Sequence, residues 1–196
     1  MIDEYAKDRL HQALREIREV LIWKLDSLSE YDARRPLTKT GTNLLGLVKH
    51  RAYSDARYLG EIFDRPFPGV PRWNEEGAWT DEHWATEHET QDAIVTLYRR
   101  VWAHTDATIN TLPIDAPGRV PWWPEPDVTL FSCMLHVLND TTRHAGHADI
   151  LREQLDGAVG TDAQNTAMQQ YDATYWAAYR AKIEQAAKSA ATTTNA

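Results

Sequence analysis

Cysteine is almost absent from this chain: Cys133 is the only one in 196 residues. A single thiol excludes an intrachain disulfide framework. Long apolar runs are missing too. No stretch approaches the ~20 residues needed to cross a bilayer, and Met1-Ile-Asp-Glu-Tyr-Ala-Lys-Asp lacks the basic region and apolar stretch of a secretory signal. Positive charge is in deficit, with 21 Lys and Arg against 29 Asp and Glu and a formal net charge of -8. The basic residues are scattered rather than gathered into a patch, which argues against nucleic-acid binding. Internal repeats and strand-like alternation are absent as well, so nothing supports a sheet. These absences leave an expected soluble, cytoplasmic protein with neither nucleic acid nor membrane as partner. Its length suits one domain with a substantial core.

Four long helical patterns are present. In the first, from about Asp3 to Leu28, the residues Tyr5, Leu10, Leu14, Ile17, Leu21, Leu25 and Leu28 recur at spacings of three to five. Arg34-Arg35-Pro36 breaks it. Thr42 or Asn43 then offers an N-cap for a second helix through Phe63, which Pro66 and Pro68 stop. Thr80-Asp-Glu-His resembles a cap before a third helical region reaching Asn110. Five prolines lie between Pro113 and Asp127, after which a fourth helix runs from near Val128 to the stop signal Asp156-Gly157. Tyr171, Tyr175, Trp176 and Tyr179 suggest a further C-terminal helix laid across the bundle, and Ser189 to Ala196 reads as a disordered tail. The predicted architecture is all-α: a four-helix bundle with an added C-terminal helix, in one domain over residues 1–188.

The fourth pattern carries the chemistry. His136, Asp140, His144 and His147 fall within roughly 80° of one another around a helix, so they share one face. Apolar neighbours such as Met134, Val137 and Leu138 carry that face toward the packed interior, where imidazoles and a carboxylate must be hydrogen-bonded, paired or bound to a metal. Asp140 and His144, one turn apart, can point at a common cation. A third ligand has to come from another helix. His50, in Leu44-Leu-Gly-Leu-Val-Lys-His50 on the apolar side of the second helix, is the candidate. Two imidazoles and one carboxylate leave coordination positions open to substrate, which suits catalysis. Zinc, nickel, iron and manganese all accept such a set.

Three segments, Thr42-Asn-Leu-Leu-Gly-Leu-Val-Lys-His50, Trp122-Trp-Pro-Glu-Pro-Asp-Val-Thr129 and Arg143-His-Ala-Gly-His-Ala-Asp-Ile-Leu-Arg-Glu153, resemble the DinB-like superfamily. The likeness is to its mycothiol-dependent maleylpyruvate isomerase-like and actinobacterial branch, and it extends over nearly the whole chain. The resemblance implies a four-helix bundle holding a divalent metal, often zinc or nickel, through a second-helix histidine and a pair on the fourth-helix stripe. Those positions match His50, Asp140 and His144. Many members have histidine at both stripe positions, and the isomerase branch has glutamate before the histidine. Asp140 departs from both with a shorter side chain, leaving open that His136 or His147 replaces it. The family's better understood members use small thiols such as mycothiol or bacillithiol. The implied function is thiol transfer or thiol-assisted isomerisation on an electrophilic substrate, the alternative being a non-catalytic metal- or ligand-binding protein of a stress response. In this scheme His136 or His147 orients ligands or shuttles a proton, and Arg143 or Arg152 pairs an anionic substrate.

Other residues have plainer expectations. Asp149, Arg152 and Glu153 suit helical charge pairs, and Cys133 suits a small buried hydrophobe. Trp73, Trp79, Trp84, Trp122 and Trp123 sit in or beside loops, where they seal the bundle ends or grip a sugar or other ring. His11, His83, His88 and His104 lie on polar stretches and read as surface residues. Apolar helix faces and exposed aromatics are compatible with a homodimer, although nothing specifies an interface.

Overall fold

The computed structural model describes residues 4–75, 81–164 and 171–193. Four long helices make up the all-α bundle: α1 (Glu4–Trp23), α3 (Leu44–Tyr58), α4 (Gln91–Thr111) and α5 (Leu130–Asp156). A short α2 (Glu30–Arg34) lies between α1 and α3, and single 3-10 turns occur at Glu61–Phe63 and Asp81–His83. A small antiparallel hairpin, β1 (Pro117–Arg119) with β2 (Asp127–Thr129), precedes α5 and pairs Gly118 with Val128. The sequence does not announce it, because three-residue strands are too short to show alternation.

The chain divides into two compact units, Met1–Ala158 and Val159–Ala196. The first contains the bundle. The second carries α6 (Ala173–Thr193), which continues past residue 189, where composition suggested an unstructured end. Tyr171, Tyr175, Tyr179 and Ile183 are exposed along this unit.

Helix boundaries follow local chemistry. Asn43 caps α3 by accepting a hydrogen bond from the Gly46 amide at 2.7 Å. Thr90 caps α4, and Gly157, at φ +79°, ends α5 in the left-handed conformation that glycine adopts without strain. Three expected boundaries are corrected, the second helix ending at Tyr58, with a separate 3-10 turn at Glu61–Phe63, instead of running through Phe63. The first helix stops at Trp23 rather than Leu28, giving way to a turn in which Ser27 takes φ +60°. The third long helix begins at Gln91, not just after residue 80. Side chains from α2 and α3 capture the intervening carbonyls: Lys49 Nζ donates to Trp84 O at 3.0 Å, and Arg34 donates to Thr86 O and Glu89 O. These contacts tie the segment's carbonyls to α2 and α3; Thr86 O also accepts the Glu89 amide at 3.1 Å in a turn, and the helix starts only after the Thr90 cap.

α3 is the central helix, packing against α4 on one side and α5 on another. Nearly all of it is buried, including Lys49, Arg51, Asp55 and Arg57. Charges in such a place persist only in pairs. Arg18 and Arg51, both fully buried, share Asp55, which is equally buried. Arg18 also reaches Asp106 at 3.0 Å, where His11 and Arg15 converge. His11 is therefore an interior residue, 7% exposed, in contrast to the surface position its polar neighbours suggested.

Candidate metal centre

The far end of this ion-pair chain is Asp140. Arg51 donates to its Oδ2, and His50 Nε2 stands 3.7 Å from the same oxygen. His144 Nε2 lies 3.5 Å from Oδ1. The bundle thus brings His50 of α3 together with Asp140 and His144 of α5, their nearest ligand atoms all within 4.8 Å of one another. All three are partly buried. The i, i+4 spacing on α5 aligns Asp140 with His144, and close α3–α5 packing supplies the third member.

A fourth residue escaped the sequence reading. Glu82, 1% exposed in the Asp81–His83 turn, accepts a hydrogen bond from His50 Nδ1 at 2.8 Å and another from Arg57 at 2.5 Å. Burial opposes ionisation of Glu82, but His50 and Arg57 outweigh it and hold its carboxyl below the usual range. An ionised carboxylate only accepts, so His50 Nδ1 carries a proton, and in the neutral ring the Nε2 lone pair is on the side of Asp140 and His144. A carboxylate on the outer nitrogen of an imidazole is how a metal-ligating histidine is commonly oriented. Nothing in the local sequence marks Glu82, since its partner lies 32 residues away.

The turn is held by close contact. At Gly46 an added Cβ would collide with the His83 carbonyl, coming 2.8 Å from its carbon. Absence of a side chain there lets the turn backbone lie directly on α3. His83, read as a surface residue, is indeed half-exposed, but its ring stacks on His50 at 4.5 Å and 24°. His50, Glu82 and His83 form a second group with metal-ligand composition, sharing the first group's histidine.

The electrostatics match this geometry. Burial penalises the Asp140 carboxylate, yet the facing His144 and His50 imidazoles and the charge of Arg51 prevail, keeping its carboxyl far below the ordinary range. For His50, burial works against protonation, and the Asp140 and Glu82 contacts overcome it to raise the pKa. His144 moves the other way, chiefly through burial and the neighbouring His50 charge. Its Nδ1 is buried and unpartnered among the described atoms, so ring packing against His50 at 4.8 Å and His147 at 5.5 Å orients it. Two imidazoles, one facing outward by virtue of Glu82, and a carboxylate held ionised are a donor set that fits a divalent cation.

The remaining candidates occupy varied settings. His136 is half-buried between Tyr58 at 4.4 Å and Trp123 at 4.8 Å, and burial lowers its pKa. His147 is exposed beside His144. Arg143 is also exposed. Arg152 is buried, its guanidinium taken by Asp156 and the Lys24 carbonyl. Asp149 pairs with Lys24 at 2.7 Å. Trp122 donates to the Tyr58 hydroxyl at 3.1 Å, and Trp122 and Trp123 pack on the core below the hairpin. Trp84 is half-exposed, and Trp79 lies outside the described residues. His104 is partly buried on the Arg65 carbonyl, unlike His88, which is exposed as expected. Cys133 is fully buried.

A family model described as Mycothiol-S-transferase matches residues 9–157, which takes in the bundle and every residue of this centre. Among curated proteins, none matches the chain.

Proposed function

The chain belongs to the mycothiol-S-transferase family, and on that premise we propose that it is a divalent-metal-dependent transferase joining a mycothiol-type thiol to an electrophile. The observation that carries the reading is the posture of His50, with Nδ1 on Glu82 at 2.8 Å and Nε2 turned toward Asp140 and His144. His50, Asp140 and His144 would hold the cation, zinc or nickel being the metals that the family resemblance implies; the donor set itself also accepts iron and manganese. When bound, such a cation lowers the pKa of a thiol and supplies a thiolate at neutral pH.

The protein's own groups do the rest. Glu82 keeps the His50 proton on Nδ1, so Nε2 stays a donor. Arg51 holds Asp140 in place by pairing with one carboxylate oxygen. His136, one turn before Asp140 and favoured in its neutral form by burial, is suited to take the thiol proton. The sulfur then forms its bond to the electrophilic carbon, and the displaced group leaves with the bonding pair. His147 and Arg143, exposed beside the centre, are available to an anionic substrate.

Elemental analysis of the purified protein and of His144→Ala tests the metal assignment. Stoichiometric metal lost in the variant is the expected result, and undiminished metal in it overturns the ligand set. Incubating the metal-loaded protein with monochlorobimane and mycothiol, bacillithiol or glutathione tests the transfer. Turnover with mycothiol is expected. Metal binding with no turnover by any of the three thiols would instead support the non-catalytic binding role.

A further inference from the structure

A cleft of about 350 Å³ opens beside the C-terminal end of α3, between the Glu61–Phe63 turn and the hairpin. Its size lies within the ~300–1,000 Å³ range of ligand sites. Glu61, Asp64, Arg72, Trp73 and Arg119 line it together with Gly118. We propose that this cleft is a carbohydrate subsite that takes the hydroxyl-rich ring end of the thiol cosubstrate, with Trp73 as the platform and Asp64, Arg72 and Arg119 as its polar rim.

The lining selects the ligand class. A phosphate or carboxylate ligand would meet Glu61 and Asp64 as like charges. An apolar ligand would strip water from four charged groups and offer them nothing in return. A neutral polyol suits both features: its C–H face stacks on an indole, and its hydroxyls donate to carboxylates and accept from guanidinium groups.

The cleft is also built to keep its shape. Buried Glu61 accepts from Arg72 Nε at 2.8 Å and from the Trp73 amide at 3.3 Å, pinning the Trp73 loop. A Cβ on Gly118 would come 2.9 Å from both Ile62 and Phe63, so the hairpin closes on the turn as far as a backbone without a side chain allows.

A chain of ring contacts through the buried Tyr58 joins cleft and metal centre. Trp73 meets Trp122 at 5.3 Å, Trp122 meets Tyr58 at 5.7 Å, and Tyr58 meets His136 at 4.4 Å. His136 precedes Asp140 by one helical turn, ~6 Å. Mycothiol joins an acylated cysteine to an amino sugar and a cyclitol, so a molecule reaching from the centre to the cleft would set its sulfur at Asp140 and its rings toward Trp73. This assignment rests on the thiol-transfer reading.

The test compares KM for mycothiol and for N-acetylcysteine, a thiol without the rings, in conjugation to monochlorobimane. Trp73→Ala is expected to raise KM for mycothiol about tenfold, the loss of one stacking contact, and to leave KM for N-acetylcysteine little changed. Arg119→Ala, at an exposed position outside the core, is expected to act in the same direction whether or not Trp73→Ala folds. Equal changes for both thiols, or none for either in both variants, would overturn the subsite. If neither thiol turns over, the transfer reading is what fails. Saturation-transfer NMR with glucosamine and myo-inositol then decides the cleft: ring-proton signals that Arg119→Ala or Trp73→Ala abolishes support it, and no signal from the unmodified protein refutes it.

Discussion

Replacing Gly46 with alanine separates the stability of α3 from the tuning of His50. Gly46 lies in the first turn of α3, where alanine is better than glycine by at most ~1 kcal/mol, so propensity alone predicts a stabilised protein. Packing opposes this. The new Cβ would collide with the His83 carbonyl oxygen and sit 2.8 Å from its carbon. Both are backbone atoms, so relief requires the Asp81–His83 turn to retreat on the order of 1 Å toward a normal C···O approach. Overpacking of that kind costs ~1–3 kcal/mol, which leaves a net loss of about 0–2 kcal/mol and only a modest drop in Tm. The centre suffers more, because Glu82 rides on this turn. At 2.8 Å from His50 and 2.5 Å from Arg57, a shift of that size takes it outside hydrogen-bond reach. Loss of the carboxylate behind a metal-ligating imidazole costs ~10–100-fold in metal affinity. Competition titration of Zn²⁺ against a chromophoric chelator, beside a melt of the metal-free protein, measures both effects. Gly46→Ala should therefore bind zinc as poorly as Glu82→Gln does while remaining folded. Wild-type zinc affinity in Gly46→Ala would refute the claim that the close approach at Gly46 sets Glu82 and, through it, His50.

Asp55→Asn should destabilise the fold by ~3–5 kcal/mol in urea titration, because it leaves the buried guanidinium groups of Arg18 and Arg51 without their shared counter-charge; a loss under ~1 kcal/mol would contradict the pairing. For Asp106, burial resists ionisation, but the His11 hydrogen bond and the Arg18 and Arg15 charges hold its carboxyl below the usual range. A depressed native pKa stabilises the fold above the ordinary carboxylate range, and that contribution is lost as pH falls through the native value. Asp106→Asn should accordingly lower stability at neutral pH and flatten the acid limb of the stability profile; parallel profiles for variant and parent would count against it. Cys133, fully buried with its thiol pushed up to about 12 by burial, should resist Ellman's reagent at pH 8 until denaturant is added, and rapid labelling of the native protein would show that the site opens.

Where helical spacing and capping residues decide, the sequence was enough, although the turn at Ser27 that ends α1 early is not written in that spacing. The spacing of Leu10, Leu14, Ile17 and Leu21 marks an amphipathic helix because 3.6 residues complete each turn, and Gly157 ends α5 because it tolerates a positive φ. Placement of His136, Asp140, His144 and His147 on one face follows from the same arithmetic. Even the choice of His50 was legible, as a lone imidazole on the apolar side of α3. What the sequence did not contain was anything fixed by contact between distant segments. Asp140 is met by Arg51, 89 positions earlier, and neither residue's neighbours predict the other. His11 reads as a surface residue until Asp106, 95 positions away, draws it inside. Residues 84 to 89 have a helix-compatible composition, but Lys49 and Arg34 draw their carbonyls onto α3 and α2, and α4 starts only after the Thr90 cap. Glu82 shows the division most clearly. Its carboxylate is anonymous in a polar run, and only the seating of its turn against Gly46 puts it behind His50. Local stereochemistry is written in neighbouring residues, whereas the protonation and aim of a buried side chain depend on which segments the packing brings within hydrogen-bond reach.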